Sequence, residues 1–209
     1  VGGPSHGGLS SHAIGDCVCW RRAYYSHVRG VVPAMPNKFF QYGSLYHAAM
    51  YFRYTGRDPM IPIDAVSQAG AAGLAEEVRS LVIAQHNFFG KEEWDTWCPR
   101  ALEQNLVAHF PYHIGKRTVQ IPICGRVDML LGLKAANESH PAPGPYANGV
   151  YCLDWKTTSQ MTADLLMGYG LDAQFLIYEA IYRIGGYEAV YGPLNGIMVC
   201  VASKGKKVP

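Results

Sequence analysis

Gly125-Arg126-Val127-Asp128-Met129-Leu130-Leu131 is followed, after a loop, by Val150-Tyr151-Cys152-Leu153-Asp154-Trp155-Lys156. Two short apolar runs each carry a carboxylate, and the second adds a lysine two residues beyond its acid. Residues two apart in a strand leave the same face, so Asp154 and Lys156 are expected side by side at the exit of a buried strand. A carboxylate inside an apolar run, such as Asp128, is costly unless paired, hydrogen-bonded or metal-bound. Two acids can hold a divalent metal against a phosphate, while a lysine activates water or neutralises developing charge. The pattern points to metal-assisted cutting of phosphodiester bonds. The plainer reading is a structural ion pair between Asp128 and Lys156. The Asp-x-Lys triplet alone discriminates weakly: 16 acids and 8 lysines in 209 residues give about 0.6 such triplets by chance.

Around these runs the periodicity divides the chain. Val1 to Leu9 is Gly-rich, and a short helix is expected from Ser10-Ser11-His12 through Tyr25. Ser44 is a suitable N-cap for a helix over Leu45–Tyr54, with Gly56 as its stop. Ala65–Phe89 has helical spacing and predicts one longer helix. Beyond Pro99 come β-rich segments, Leu102–Phe110, Thr118–Ile123 and Arg126–Leu133, with Gly125 as a turn or bulge. Residues 135–148 read as a loop, and Val150–Lys156 as the next strand. Thr162–Met167 and Leu171–Ile184 read as helices, and Leu194–Ala202 as a closing strand. This order suits an α/β fold with a central mixed sheet and an N-terminal helical cover. The expected organisation is a covering helical segment, residues 1–99, and a core, residues 100–209, together forming one compact domain.

With 49% hydrophobic and 12% aromatic residues the chain can bury a substantial core. Its net charge of +2 excludes a strong polycation, so any grip on nucleic acid must come from a local groove. The scattered cysteines Cys17, Cys19, Cys98, Cys124, Cys152 and Cys200 have no framework spacing and read as reduced thiols. No apolar stretch approaches a membrane span. Val1 and the terminal Lys-Lys-Val-Pro suggest a fragment of a longer protein.

Gly-Arg-Val-Asp at 125–128, Leu-Asp-Trp-Lys-Thr at 153–157 and Gln174-x-x-x-Tyr178 resemble the PD-(D/E)XK nuclease superfamily. The resemblance is strongest to its RecB-like, Cas4-like exonuclease branch, which includes many phage exonucleases. That branch carries Gly-x-x-x-His on an early helix, matched by Gly43 to His47, and often opens with a Ser-then-Cys segment like Ser11 to Tyr25. The motifs occur in the family's order, and the resemblance implies a restriction-endonuclease-like core.

It also implies roles. Asp128 and Asp154 would be the main metal carboxylates, joined by the backbone carbonyl of Trp155, and His47 would add a nitrogen. Such a set suits one or two Mg²⁺ or Mn²⁺ ions. Lys156 would act on the attacking water or the transition state, and Gln174 and Tyr178, four apart on one helix face, would border the site. Glu103 falls where some members place an extra acid, although a solvated strand residue is the favoured reading. Thr157, Thr158, Arg21, Arg22 and Arg126 are candidate DNA contacts, Arg126 the best placed of the arginines. Without the resemblance, His47 reads equally well as a packed histidine, and Tyr178 as a core aromatic. Tyr24, Tyr25 and Tyr46 suit core packing better than base stacking. An iron–sulfur cluster is not expected within residues 1–209, because Cys200 alone follows Tyr178 and four thiolates are normally needed.

The resemblance implies a DNA exonuclease or end-processing enzyme in recombination, replication or repair. A structure-selective endonuclease and a catalytically inactive nucleic-acid-binding or assembly module are the alternatives. DNA, as single strands or ends, is the expected partner, with a helicase, a recombination protein or a second copy beside it. The expected location is the cytoplasm of a bacterial or phage-infected cell.

Overall fold

The structure, a computed structural model, describes residues 38–133, 149–158, 162–169 and 172–203, together with Arg21, Tyr24 and Arg29. From residue 38 on, the described residues begin with three helices: α1 (Lys38–Tyr54), α2 (Met60–Gln68) and α3 (Ala72–Thr96). Strands β1 (Trp97–Ile114), β2 (Arg117–Leu133) and β3 (Val150–Thr158) follow. Helices α4 (Ala163–Tyr169), α5 (Ala173–Ile184) and α6 (Glu188–Tyr191) then lead to β4 (Leu194–Ser203). The strands form one mixed four-stranded sheet in the order β1-β2-β3-β4. β1–β2 and β2–β3 are antiparallel, and β3–β4 is parallel. A hairpin cannot join parallel neighbours, so the chain crosses over from β3 to β4 through α4, α5 and α6.

Both sheet faces are covered. On one, Leu45, Tyr46 and Met50 of α1 pack with Ile63, Val78 and Val82 against Met129, Leu131, Leu153 and Trp155. On the other, Phe175, Tyr178, Ile181 and Tyr182 of α5 pack against Leu106, Val127, Leu130 and Cys152. β3 therefore has apolar neighbours on both sides, which is why Val150–Leu153 reads as a continuous apolar run. No helix among the described residues is long and apolar enough to cross a membrane.

Several boundaries differ from the sequence expectation. α1 starts at Lys38, so Ser44 is interior to it and caps nothing; Gly56 does stop it, at φ +74°. The helix expected over 65–89 is two helices, parted at Gly70, whose φ of +92° suits a residue without Cβ. β2 runs unbroken through Gly125, which makes no turn. The glycine lies under an aromatic ring instead: a Cβ there would stand 2.7 Å from Tyr178 Cε1. β1 extends to Ile114 and meets β2 across Gly115-Lys116. Gly115 at φ +60° opens that two-residue turn. The loop expected over 135–148 and the Ser11–Tyr25 segment, Arg21 and Tyr24 apart, lie outside the described residues, as do Cys17, Cys19 and Arg22.

Candidate active site

The site grows from a local defect in the sheet. Val127 packs on the α5 side, yet Met129, two residues on, packs on the α1 side. The in–out alternation breaks at Asp128. Opposite it, between the pairs Leu102–Met129 and Gln104–Val127, lies Glu103. Glu103 has φ +49°, the one positive value on a non-glycine among the described residues. The β2–β3 ladder ends at the pair Met129–Leu153. Past that point the Trp155 N–H donates to Asp128 Oδ2 at 2.7 Å, so a side chain takes the place of a strand carbonyl. Asp128 is 6% exposed and Asp154 2%, and each buried carboxylate has partners.

His47 reaches this gap from α1. Its Nε2–H donates to the Trp155 carbonyl at 2.7 Å, and Nδ1 lies 3.3 Å from Asp128 Oδ1. Gly43, one turn earlier, faces Thr157: a Cβ there would meet Thr157 Oγ1 at 3.5 Å. The anchor beneath is Trp155, fully buried and stacked on Tyr54 with ring centroids 5.5 Å apart. His47, Glu103 and Asp128 each bring a ligand atom within 4.8 Å of the others.

Asp154 and Lys156 share the opposite face, toward α5. Lys156 Nζ lies 2.7 Å from Asp154 Oδ2 and donates to Gln174 Oε1 at 3.1 Å. The Asp154 oxygen is buried and, beyond that ion pair, accepts no well-aligned hydrogen bond. Gln174 Nε2 donates to Asp154 Oδ1 at 2.9 Å and to the Tyr178 hydroxyl at 2.6 Å. Tyr178 in turn donates to the Arg126 carbonyl at 2.7 Å. The α5 end that supplies this network is fixed by Asp172, which accepts from Gln174 N at 2.8 Å as an N-cap. Tyr178 is thus both a core aromatic and the clamp that orients Gln174.

The electrostatics follow from this crowding. Burial raises the Asp154 pKa, the Lys156 ammonium pulls it down and Asp128 pushes it up, with a net rise. Burial likewise raises Glu103, against the lowering effect of Arg126. For His47, burial favours the neutral ring, but the Asp128 hydrogen bond and charge and the Trp155 carbonyl outweigh it, so its pKa is raised. The pocket favours added positive charge.

The structure brings Asp154, Lys156, Gln174 and Tyr178 into one network, and His47, Asp128 and Trp155 into another; Asp154, expected beside Asp128 as a metal carboxylate, is not in the ligand cluster found among the described residues. The plainer alternative, an ion pair between Asp128 and Lys156, does not form; Lys156 pairs with Asp154, which shares its face. Glu103 is no solvated strand residue: its carboxylate pairs with Arg126 Nε at 2.9 Å beside His47 and Asp128. One signal could have placed it, since Glu103 and Asp128 are equidistant along the chain from Gly115-Lys116. Thr157 and Thr158 continue β3 beyond Lys156, half-buried. Arg126 stays largely exposed at the rim, and Arg21 is exposed. Tyr46 is a core residue, donating to Gln85 Oε1 at 2.8 Å.

No family model matches the chain, and no curated protein or solved structure matches it at a significant level.

His47, Glu103 and Asp128, one nitrogen and two carboxylate donors, could hold a metal ion. The proton of the His47–Trp155 bond joins two groups that could both turn to one ion. Asp154 Oδ2, buried and poorly hydrogen-bonded, has capacity to spare.

Proposed function

We propose that the chain is a metal-dependent DNA nuclease with a restriction-endonuclease-like core, of the RecB-like PD-(D/E)XK type. Digestion or processing of DNA ends is its favoured activity. The observation that carries this reading is the setting of Lys156. Its ammonium is gripped by Asp154 and Gln174 at the mouth of a strand gap, across which Asp128, Glu103 and His47 converge.

His47, Asp128, Glu103, Asp154 and the Trp155 carbonyl are the groups that would hold the ion. When bound, the ion polarises a phosphoryl oxygen and lowers the pKa of water at the site. Lys156, held between the Asp154 carboxylate and the Gln174 amide, presents its ammonium to the negative charge that builds on the attacked phosphate. Gln174 hydrogen-bonds both the ammonium and the Asp154 carboxylate, and Tyr178 fixes Gln174. Trp155, clamped by Tyr54, keeps its carbonyl aimed at the gap. Arg126 stands where a phosphate would approach, paired with Glu103 until a stronger anion arrives.

The test is digestion of end-labelled linear single- and double-stranded DNA with Mg²⁺ or Mn²⁺, by wild type, Asp154→Ala and Lys156→Ala. Metal-dependent cutting lost in both variants supports the reading. A well-folded wild type that cuts nothing in either metal sinks it, and leaves a DNA-binding or assembly module of the same design.

A further inference from the structure

The β1–β2 hairpin outruns the sheet. β3 pairs with β2 only over Gly132 to Met129, yet β1 and β2 stay paired out to Ile114 and Arg117. Residues 109–122 therefore form a two-stranded arm about 20 Å long at about 3.4 Å per residue. The arm begins next to the site, since Arg126 and Gly125 lie at its root against Glu103 and Tyr178.

Its composition is one-sided. From Leu106 to Val127 the chain carries Lys116, Arg117 and Arg126 and no Asp or Glu. One face continues the core stripe of Leu106 and Ala108 into Phe110, Tyr112 and Ile114, paired with Ile121, Val119 and Arg117. Tyr112 is 55% exposed, Ile114 59% and Val119 41%, and the three lie together on this one face of the ribbon. The other face is polar, with Thr118 Oγ1 and His113 Nδ1 at 3.0 Å. Exposed apolar side chains on a two-stranded ribbon call for a covering partner. A second copy would bring the same acid-free, cationic tip against this one, which repulsion disfavours. A polyanion meets no such penalty.

We propose that the arm is a duplex-DNA-binding ribbon that holds the DNA flanking the active site. A two-stranded ribbon fits the major groove, where apolar side chains meet thymine methyl groups and cations meet the flanking phosphates. The rod has no cleft to enclose a single strand. The choice of DNA as the polyanion rests on the nuclease reading above; the arm's affinity for it does not need catalysis.

The experiment is fluorescence anisotropy of the 209-residue chain with labelled duplex and single-stranded DNA in EDTA, across a salt series. Wild type is compared with Lys116→Glu/Arg117→Glu and with Tyr112→Ser/Ile114→Ser, each checked for native circular dichroism. The charge variant should bind duplex at least about tenfold more weakly, with a salt slope smaller by about two. The apolar variant should weaken duplex binding with the slope unchanged. Unchanged duplex affinity in both variants overturns the proposal, as does a loss confined to single strands. A concentration-dependent dimer that Tyr112→Ser/Ile114→Ser abolishes, without loss of duplex binding, also overturns it. Because EDTA removes catalysis, a wild type that binds through the arm but never cuts would sink the nuclease reading alone.

Discussion

His47 Nε2 and the Trp155 carbonyl oxygen meet at 2.7 Å, from residues 108 apart in the chain. That bond ties the helical cover to the strand that carries Asp154 and Lys156. It sets the imidazole with one nitrogen on a backbone carbonyl and the other toward Asp128, so one ring reads both walls of the gap. His47→Ala should lower Mn²⁺ affinity at least about tenfold and shrink the rise in melting temperature that Mn²⁺ produces. Thermal shift over a Mn²⁺ titration checks this. Equal metal-induced shifts in wild type and variant would remove His47 from the ion's surroundings.

Among the described residues the Gln174 side chain makes three polar contacts, to Lys156, Asp154 and Tyr178. Gln174→Ala should cost about 1–3 kcal/mol, because it leaves partly buried polar groups under-satisfied. It should also lower the single-turnover cutting rate about 10- to 100-fold, with a smaller change in DNA affinity. A variant that loses stability but cuts at the wild-type rate would confine Gln174 to a structural role.

Glu103 combines a strained backbone with a carboxylate, and substitution separates the two. Glu103→Gly relieves the φ of +49° while Glu103→Ala keeps it, so the glycine variant should be more stable than the alanine by about 1 kcal/mol. Both lose the Arg126 pair and the third ligand of the cluster, so both should bind Mn²⁺ more weakly. Urea denaturation and metal titration together read this out. An alanine variant as stable as the glycine would show that the backbone there is relaxed.

Gly125 lies under Tyr178. A methyl at that position would stand 2.7 Å and 2.9 Å from the ring's Cε1 and Cδ1. Gly125→Ala should therefore cost about 1–3 kcal/mol by overpacking and displace the Tyr178 hydroxyl from Gln174. Combining it with Tyr178→Leu should recover part of the stability loss but none of the cutting rate. Strict additivity of the two substitutions in a urea double-mutant cycle would disprove the contact.

Burial, and secondarily the Glu179 charge, push the Cys152 thiol up to about 12. In the unfolded chain the same thiol ionises near its ordinary value of about 8.5. The folded state thus holds a proton that the unfolded state gives up. Cys152 contributes full stability below the unfolded pKa and loses it as pH rises toward the folded one. Between about pH 8.5 and pH 10.5 the urea midpoint of wild type should fall more steeply than that of Cys152→Ala. Parallel slopes would contradict the shift.

The motif positions were legible in the sequence because they depend on local rules. Asp154 and Lys156 share a face by strand period, and Gln174 and Tyr178 by helix period. Gly43 to His47 lies wholly on a helix, as the resemblance implied, although the residue pattern began that helix at Leu45. Boundaries were less legible where a tertiary contact set them. Gly125 looks like a turn by propensity and is in fact the clearance for an aromatic ring from α5. Pro111 lies just past the expected strand Leu102–Phe110, where it reads as a strand end. Yet β1 is an edge strand, and past Met129 β2 has no partner on its far side, so a missing N–H there breaks no inner ladder.

The sequence alone determined an α/β chain with a mixed sheet, the identity of the acids and lysine, and the faces that they share. These follow from short-range periodicity and from the cost of burying a carboxylate. The tertiary structure alone decided which groups meet. It turned Lys156 to Asp154 instead of Asp128, brought Glu103 out of apparent solvent to the His47–Asp128 pair, and left the 109–122 arm uncovered. Register, strand splay and the docking of α1 and α5 fix those pairings. They are long-range packing choices that no local pattern encodes.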